Sequence, residues 1–251
     1  MTAHSFESPA AAPTPSHFDP ARPPAPPRAT GEPPPDPAPE ELEETTPGAV
    51  LDALLRSPGR LLAALGEGRA WGATTLVTLA SLALTGLALA TWSGGPQLAI
   101  VPLKLIALTG VTALVCWPSL HVLTALGGGA QPVRETASAL AMGMALAAVL
   151  GLALAPIAWV LSAATSSLAL AGTLYLVVFL VAASLGLGLV RRALRAGSSA
   201  PLRGLGAWSF LFVMVALQLA TTLRPLVGPF EGLWPEPRTF FLEHLFDCLG
   251  R

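Results

Sequence analysis

From Trp71 to Trp92 the chain reads WGATTLVTLASLALTGLALATW, 22 residues with no formal charge and a tryptophan at each end. An α-helix rises 1.5 Å per residue, so about 20 apolar residues cross the roughly 30 Å of hydrocarbon in a bilayer. Tryptophan settles at headgroup depth, so the two ends read as interfacial anchors. Four further apolar segments follow at residues 102–126, 136–161, 168–190 and 205–223. Across the 120 residues from Trp71 to Val190 there are only three formal charges, Lys104, Arg134 and Glu135. The pattern predicts an all-α integral membrane protein built as a five-helix transmembrane bundle. Pro118 in the second segment and Pro156 in the third predict kinks or early helix ends.

Working outward, the composition changes sharply on the amino-terminal side. Fourteen of the 25 prolines lie at or before Pro47, in a stretch rich in Pro, Ala and Glu that lacks apolar periodicity. Such a segment buries too little surface to offset its ordering entropy, so residues 1–47 read as a disordered tail. Its proline runs favour polyproline II, which serves either as a spacer or as a ligand for an adaptor domain. Residues 48–68 change to helical spacing, with Val50, Leu51, Leu54 and Leu55, then Leu61, Leu62 and Leu65, divided at Ser57-Pro58. Ser57 suits a cap, Pro58 a first helical position and Gly66 a terminator. This predicts two short amphipathic helices lying flat in the headgroup region. At the other end, residues 224–251 contain Phe240, Phe241, Leu242, Leu245 and Phe246, with Glu243, His244 and Asp247 opposite. That spacing predicts a second interfacial amphipathic helix.

The few basic residues set the orientation. With five spans and a cytoplasmic amino terminus, the inner side holds Arg56, Arg60, Arg69, Arg134, Arg191, Arg192, Arg195 and Arg203. The outer side holds Lys104, Arg224, Arg238 and Arg251. Eight against four places the amino terminus inside and the carboxyl terminus outside by the positive-inside rule. Heavy use of Ala, Leu, Gly and Arg with a single Lys points to a GC-rich bacterial genome, hence a bacterial inner membrane.

The net charge of −1 offers no basic stripe for nucleic acid, so no nucleic-acid partner is expected. Two cysteines without metal spacing, and no HExxH, GxSxG or phosphate-binding glycine motif, give no cofactor, no metal and no catalytic residue. His121 is the single histidine in a span. With Arg134 it would support chemistry on lipid only beside another polar group, and the sequence supplies none. Gln218 and Arg224 close the fifth segment, and Arg224 suits anchoring to Glu231, Glu236 or a lipid phosphate. Small residues are the more informative feature: Ala139, Gly143, Ala147, Gly151 and Ala155 recur every fourth position, as do Ala182 and Gly186. Such stripes let helix backbones approach closely, inside one bundle or between copies and other membrane proteins.

The segment Leu55-Arg56-Ser57-Pro58-Gly59-Arg60, the loop from Gly127 to Thr136 and the five-span plan together resemble bacterial members of the Yip domain family. Eukaryotic relatives in that family are five-span proteins associated with Rab GTPases and vesicle traffic. The stretch from Lys104 to Leu120 and the ending from Gln218 to Phe230 look more like an uncharacterised group of bacterial polytopic proteins. The acidic, tyrosine-bearing segment of the eukaryotic members is not evident, since Tyr175 is the one tyrosine. The resemblance therefore implies no Rab-type partner and no catalytic residue. The expected function is non-enzymatic: an assembly or organising component acting through the tail, the small-residue faces or membrane lipids. The alternative is a passive pore or carrier for a small neutral or apolar solute, built around Pro118, Pro156 and His121.

Overall fold

A computed structural model describes residues 45–91, 95–128, 131–164, 168–198 and 204–222. These form seven helices and no strand: α1 (Pro47–Arg56), α2 (Pro58–Glu67), α3 (Trp71–Ala90), α4 (Gln97–Leu126), α5 (Val133–Ala163), α6 (Leu168–Ala196) and α7 (Leu205–Thr222). The tail up to residue 44 and the carboxyl-terminal segment with Arg224 lie outside the described residues.

Four of the helices, α3 to α6, are long and apolar enough to cross a membrane, and α7 is a shorter apolar helix. Their outer faces carry large exposed apolar side chains, among them Leu76, Leu84, Leu103, Leu114, Ile157 and, on α7, Phe210. A chain that turns leucines outward on every long helix has hydrocarbon as its solvent, and this marks a membrane-embedded protein. At 30, 31 and 29 residues, α4, α5 and α6 reach roughly 45 Å, enough to pass through the headgroup layers as well.

Several boundaries differ from the sequence reading, each for a local reason. The second long helix begins at Gln97 and runs through both Pro102 and Pro118, and the third runs through Pro156, so proline ends neither. Proline removes one backbone donor, a loss that a helix inside a bundle tolerates. Beside Pro118, the indole nitrogen of Trp208 on α7 donates to the Cys116 carbonyl and to Ser119 Oγ, both at 3.2 Å. At Pro102 the ring seats against Gly86 of α3, where a Cβ would lie 2.5 Å from the proline Cα. Gly68, not Gly66, terminates α2. It takes φ +89°, with Gly68 N donating to Leu65 O and Arg69 N donating to Ala64 O in a Schellman arrangement. Ser57 separates α1 from α2, but its hydroxyl makes no capping bond. The side-chain cap belongs to Thr46, whose Oγ1 accepts from Ala49 N.

The apolar faces of α1 and α2 are taken up by the bundle. Val50, Leu54, Leu61 and Leu65 join Cys116, Leu120, Met142, Val190, Leu194 and Trp208 in one buried cluster. Leu51 and Leu55 stay exposed beside the Asp52–Arg56 ion pair. Contacts across the bundle fix which ends share a side. At one end Trp159 Nε1 donates to Thr91 Oγ1. At the other, Gln131 Nε2 donates to Leu194 O at 2.8 Å, tying the α4–α5 connection to the last turn of α6. Arg56, Arg60, Arg69, Arg134, Arg191, Arg192 and Arg195 belong to this second end, and Lys104 to the first.

Candidate functional site

The residues singled out by sequence do not converge on one point. His121 lies near the arginine-bearing end, where its Nδ1 is 3.4 Å from Thr136 Oγ1. Thr136 Oγ1 also donates to Val133 O. Arg134, on the first turn of α5, lays its guanidinium against the left-handed Gly68. Gln218 is exposed on α7, and Arg224 lies outside the described residues. Pro118 and Pro156 are exposed on the outer faces of α4 and α5, toward opposite ends of the bundle. Among the described residues, no group of three or more His, Cys, Asp or Glu side chains is placed to hold a metal ion.

The small residues divide by role. Gly143 and Gly186 face each other where α5 crosses α6: a Cβ on Gly186 would lie 2.5 Å from Gly143 O and 2.9 Å from Ala147 Cβ. A Cβ on Gly143 would meet Gly186 O at 2.8 Å and also strike Val190. This is backbone-to-backbone packing, which only glycine permits. Gly151 meets nothing within 4 Å and lines a cavity of about 130 Å³ between the helices. That cavity is lined mainly by Leu, Ala, Val and Phe side chains. Thr85 and Thr112 on its wall donate to carbonyls of their own helices, and the buried Tyr175 hydroxyl has no partner.

A larger concavity of about 430 Å³ opens sideways between α3 and α4, with α5 as its floor. Along α5 the positions Ala137, Leu140, Ala141 and Met144 form one helical stripe, and Arg134 continues it one turn toward the arginine-bearing end. Leu79 and Leu114 stand exposed at the rim. Two wall residues carry buried polar atoms without partners, Thr74 Oγ1 and Trp117 Nε1. Both stand out from their kind. The hydroxyls of Thr78, Thr85 and Thr112 each donate to the carbonyl four residues back. The indoles of Trp71, Trp159 and Trp208 all donate to an oxygen. Sequence reasoning passed over Thr74 and Trp117, because one of several threonines and a tryptophan in an apolar run look like ordinary lining. Gln131 and Thr136 stand in the loop noted in the sequence, but their partners, Leu194 and His121, are on other helices and were not legible there.

No family model matches this chain, and no curated protein or solved structure matches it either.

Proposed function

We propose that this chain is a five-span protein of a bacterial inner membrane, with amino terminus inside and carboxyl terminus outside. On this reading it is a non-enzymatic organising or interaction component, close in plan to Yip-like proteins. The observation that carries the reading is the segregation of charge. Seven arginines of the described residues gather at one end of the bundle and Lys104 alone stands toward the other. Arginine clusters beside a membrane attract anionic lipids and hold a protein at the cytoplasmic leaflet. The length of α7, 18 residues or roughly 27 Å, supports its counting as a fifth span. The exposed Leu51 and Leu55 support placing α1 at headgroup depth even though its other apolar face packs on the bundle.

The closely packed α5–α6 pair suits such a component as a scaffold. A passive carrier for a small apolar solute draws its support from the apolar cavity beside Tyr175. Pro118, Pro156 and His121, the residues first suggested for such a path, do not line that cavity.

The test is cross-linking in native membranes followed by identification of bound protein, for the full chain and for a chain lacking residues 1–44. An organising role predicts a defined partner or homo-oligomer that is lost or changed on tail deletion. A purified chain that stays monomeric, with identical contacts in both forms, refutes it. A reporter placed after Arg251 tests orientation separately, since a cytoplasmic signal there removes either one span or the outward carboxyl terminus.

A further inference from the structure

We propose that the cleft between α3 and α4 is a binding site for one acyl chain and the ester region of an anionic glycerophospholipid from the arginine-side leaflet. This goes beyond the organising role and rests only on the bundle being embedded in lipid. The argument begins with dimensions. The walls run from Trp71 to Leu82 on α3 and from Ile106 to Trp117 on α4. Eleven helical steps on each wall make roughly 16 Å, the depth of one leaflet in a hydrocarbon layer roughly 30 Å thick. A volume of about 430 Å³ falls within the range of ligand pockets. The cleft starts at the arginine-bearing end and opens sideways past Leu79 and Leu114, so a lipid enters it from its own leaflet.

Polarity then selects the occupant. Thr74 is 2% exposed with an unpartnered Oγ1, and the Trp117 indole N–H is buried and unpartnered as well. A buried donor left unsatisfied is costly, and a hydrocarbon tail alone offers it nothing. A glycerophospholipid carries two ester carbonyls directly above its tails, acceptors suited to a hydroxyl and an indole N–H. Both residues line the cleft wall, and on this proposal their side chains turn toward the esters when a lipid is seated. A neighbouring transmembrane helix is a poorer match, because its backbone carbonyls are already bonded internally. Above the cleft, Arg134 lies on the same α5 stripe as Ala137 and Ala141, where a lipid phosphate would sit.

The experiment is native mass spectrometry of the full, delipidated chain titrated with phosphatidylglycerol, with its ether-linked analogue lacking ester carbonyls, and with phosphatidylcholine of the same chains. The expected result is one tightly bound phosphatidylglycerol. The ether analogue should bind on the order of tenfold more weakly, as two lost hydrogen bonds imply. The double variant Thr74→Val, Trp117→Phe should bind both forms alike, and Arg134→Gln should erase the preference over phosphatidylcholine. Gly110 lines the cleft and a Cβ there meets nothing within 4 Å, so Gly110→Phe puts a ring into the groove and should abolish the tight adduct, with thermal unfolding of the variant matching the unaltered chain. Unchanged affinity in Gly110→Phe, or equal binding of ester and ether lipids by the unaltered chain, overturns the proposal. A photoreactive residue at position 110 adds a last arm: cross-links to phospholipid support the site, and cross-links to a protein helix overturn it.

Discussion

Replacing Gly186 by alanine adds one methyl group where α6 touches the backbone of α5. The new carbon would stand 2.5 Å from Gly143 O and 2.9 Å from Ala147 Cβ, the first roughly 1 Å short of ordinary contact. Neither neighbour is the free end of a flexible side chain, so the helices must separate. Overpacking of this kind costs about 1–3 kcal/mol, while alanine regains about 1 kcal/mol of helix propensity over glycine. The net expectation is a loss of up to about 2 kcal/mol. Gly151 is the control within the same helix pair, since nothing lies within 4 Å of its added Cβ. Gly151→Ala should therefore gain up to about 1 kcal/mol from propensity. The assay is thermal unfolding in one mild detergent, followed by loss of monodisperse protein. At roughly 2–4 °C per kcal/mol, the two variants should bracket the unaltered chain and differ by several degrees. If Gly186→Ala melts at or above Gly151→Ala, the close α5–α6 crossing is wrong.

Two further outcomes follow from single side chains. Trp208→Phe keeps an aromatic ring tilted against Phe212 but removes both donations to α4, and should cost about 1–2 kcal/mol. In a Cys248→Ser background it should also speed maleimide labelling of the buried Cys116, and an unchanged labelling rate would count against the α4–α7 clasp. Gly68→Ala forces a side chain into φ +89° and against the Arg134 guanidinium, so it should lose about 1–2 kcal/mol. Hydrogen exchange should report faster opening of the last turn of α2 with little change in α3, and equal protection in both would contradict the assignment.

Much of the architecture was legible in the chain because lipid imposes a one-dimensional rule. Each span must satisfy its own backbone and present apolar side chains outward, so a run such as Trp71–Ala90 declares itself without knowledge of its neighbours. The glycine spacing around Gly143 and Gly186 declared a close approach for the same reason, since few other demands place small residues every fourth position. What the chain could not declare was pairing. Proline reads as a helix stop until Gly86 and Trp208 are seen beside Pro102 and Pro118. Two short amphipathic helices read as surface elements until their leucines are found packed on Trp208 and Leu120. Gly143 and Gly151 belong to one stripe in sequence and border one cavity, yet only Gly143 is in backbone contact with α6. Thr74 and Trp117 acquire meaning only because three helices leave a groove between them that supplies neither atom with a partner. The number of apolar segments and the end that carries the arginines are set by residue type and order. Where those segments leave space is set by how side chains of different size meet across helices far apart in the chain, which packing alone decides.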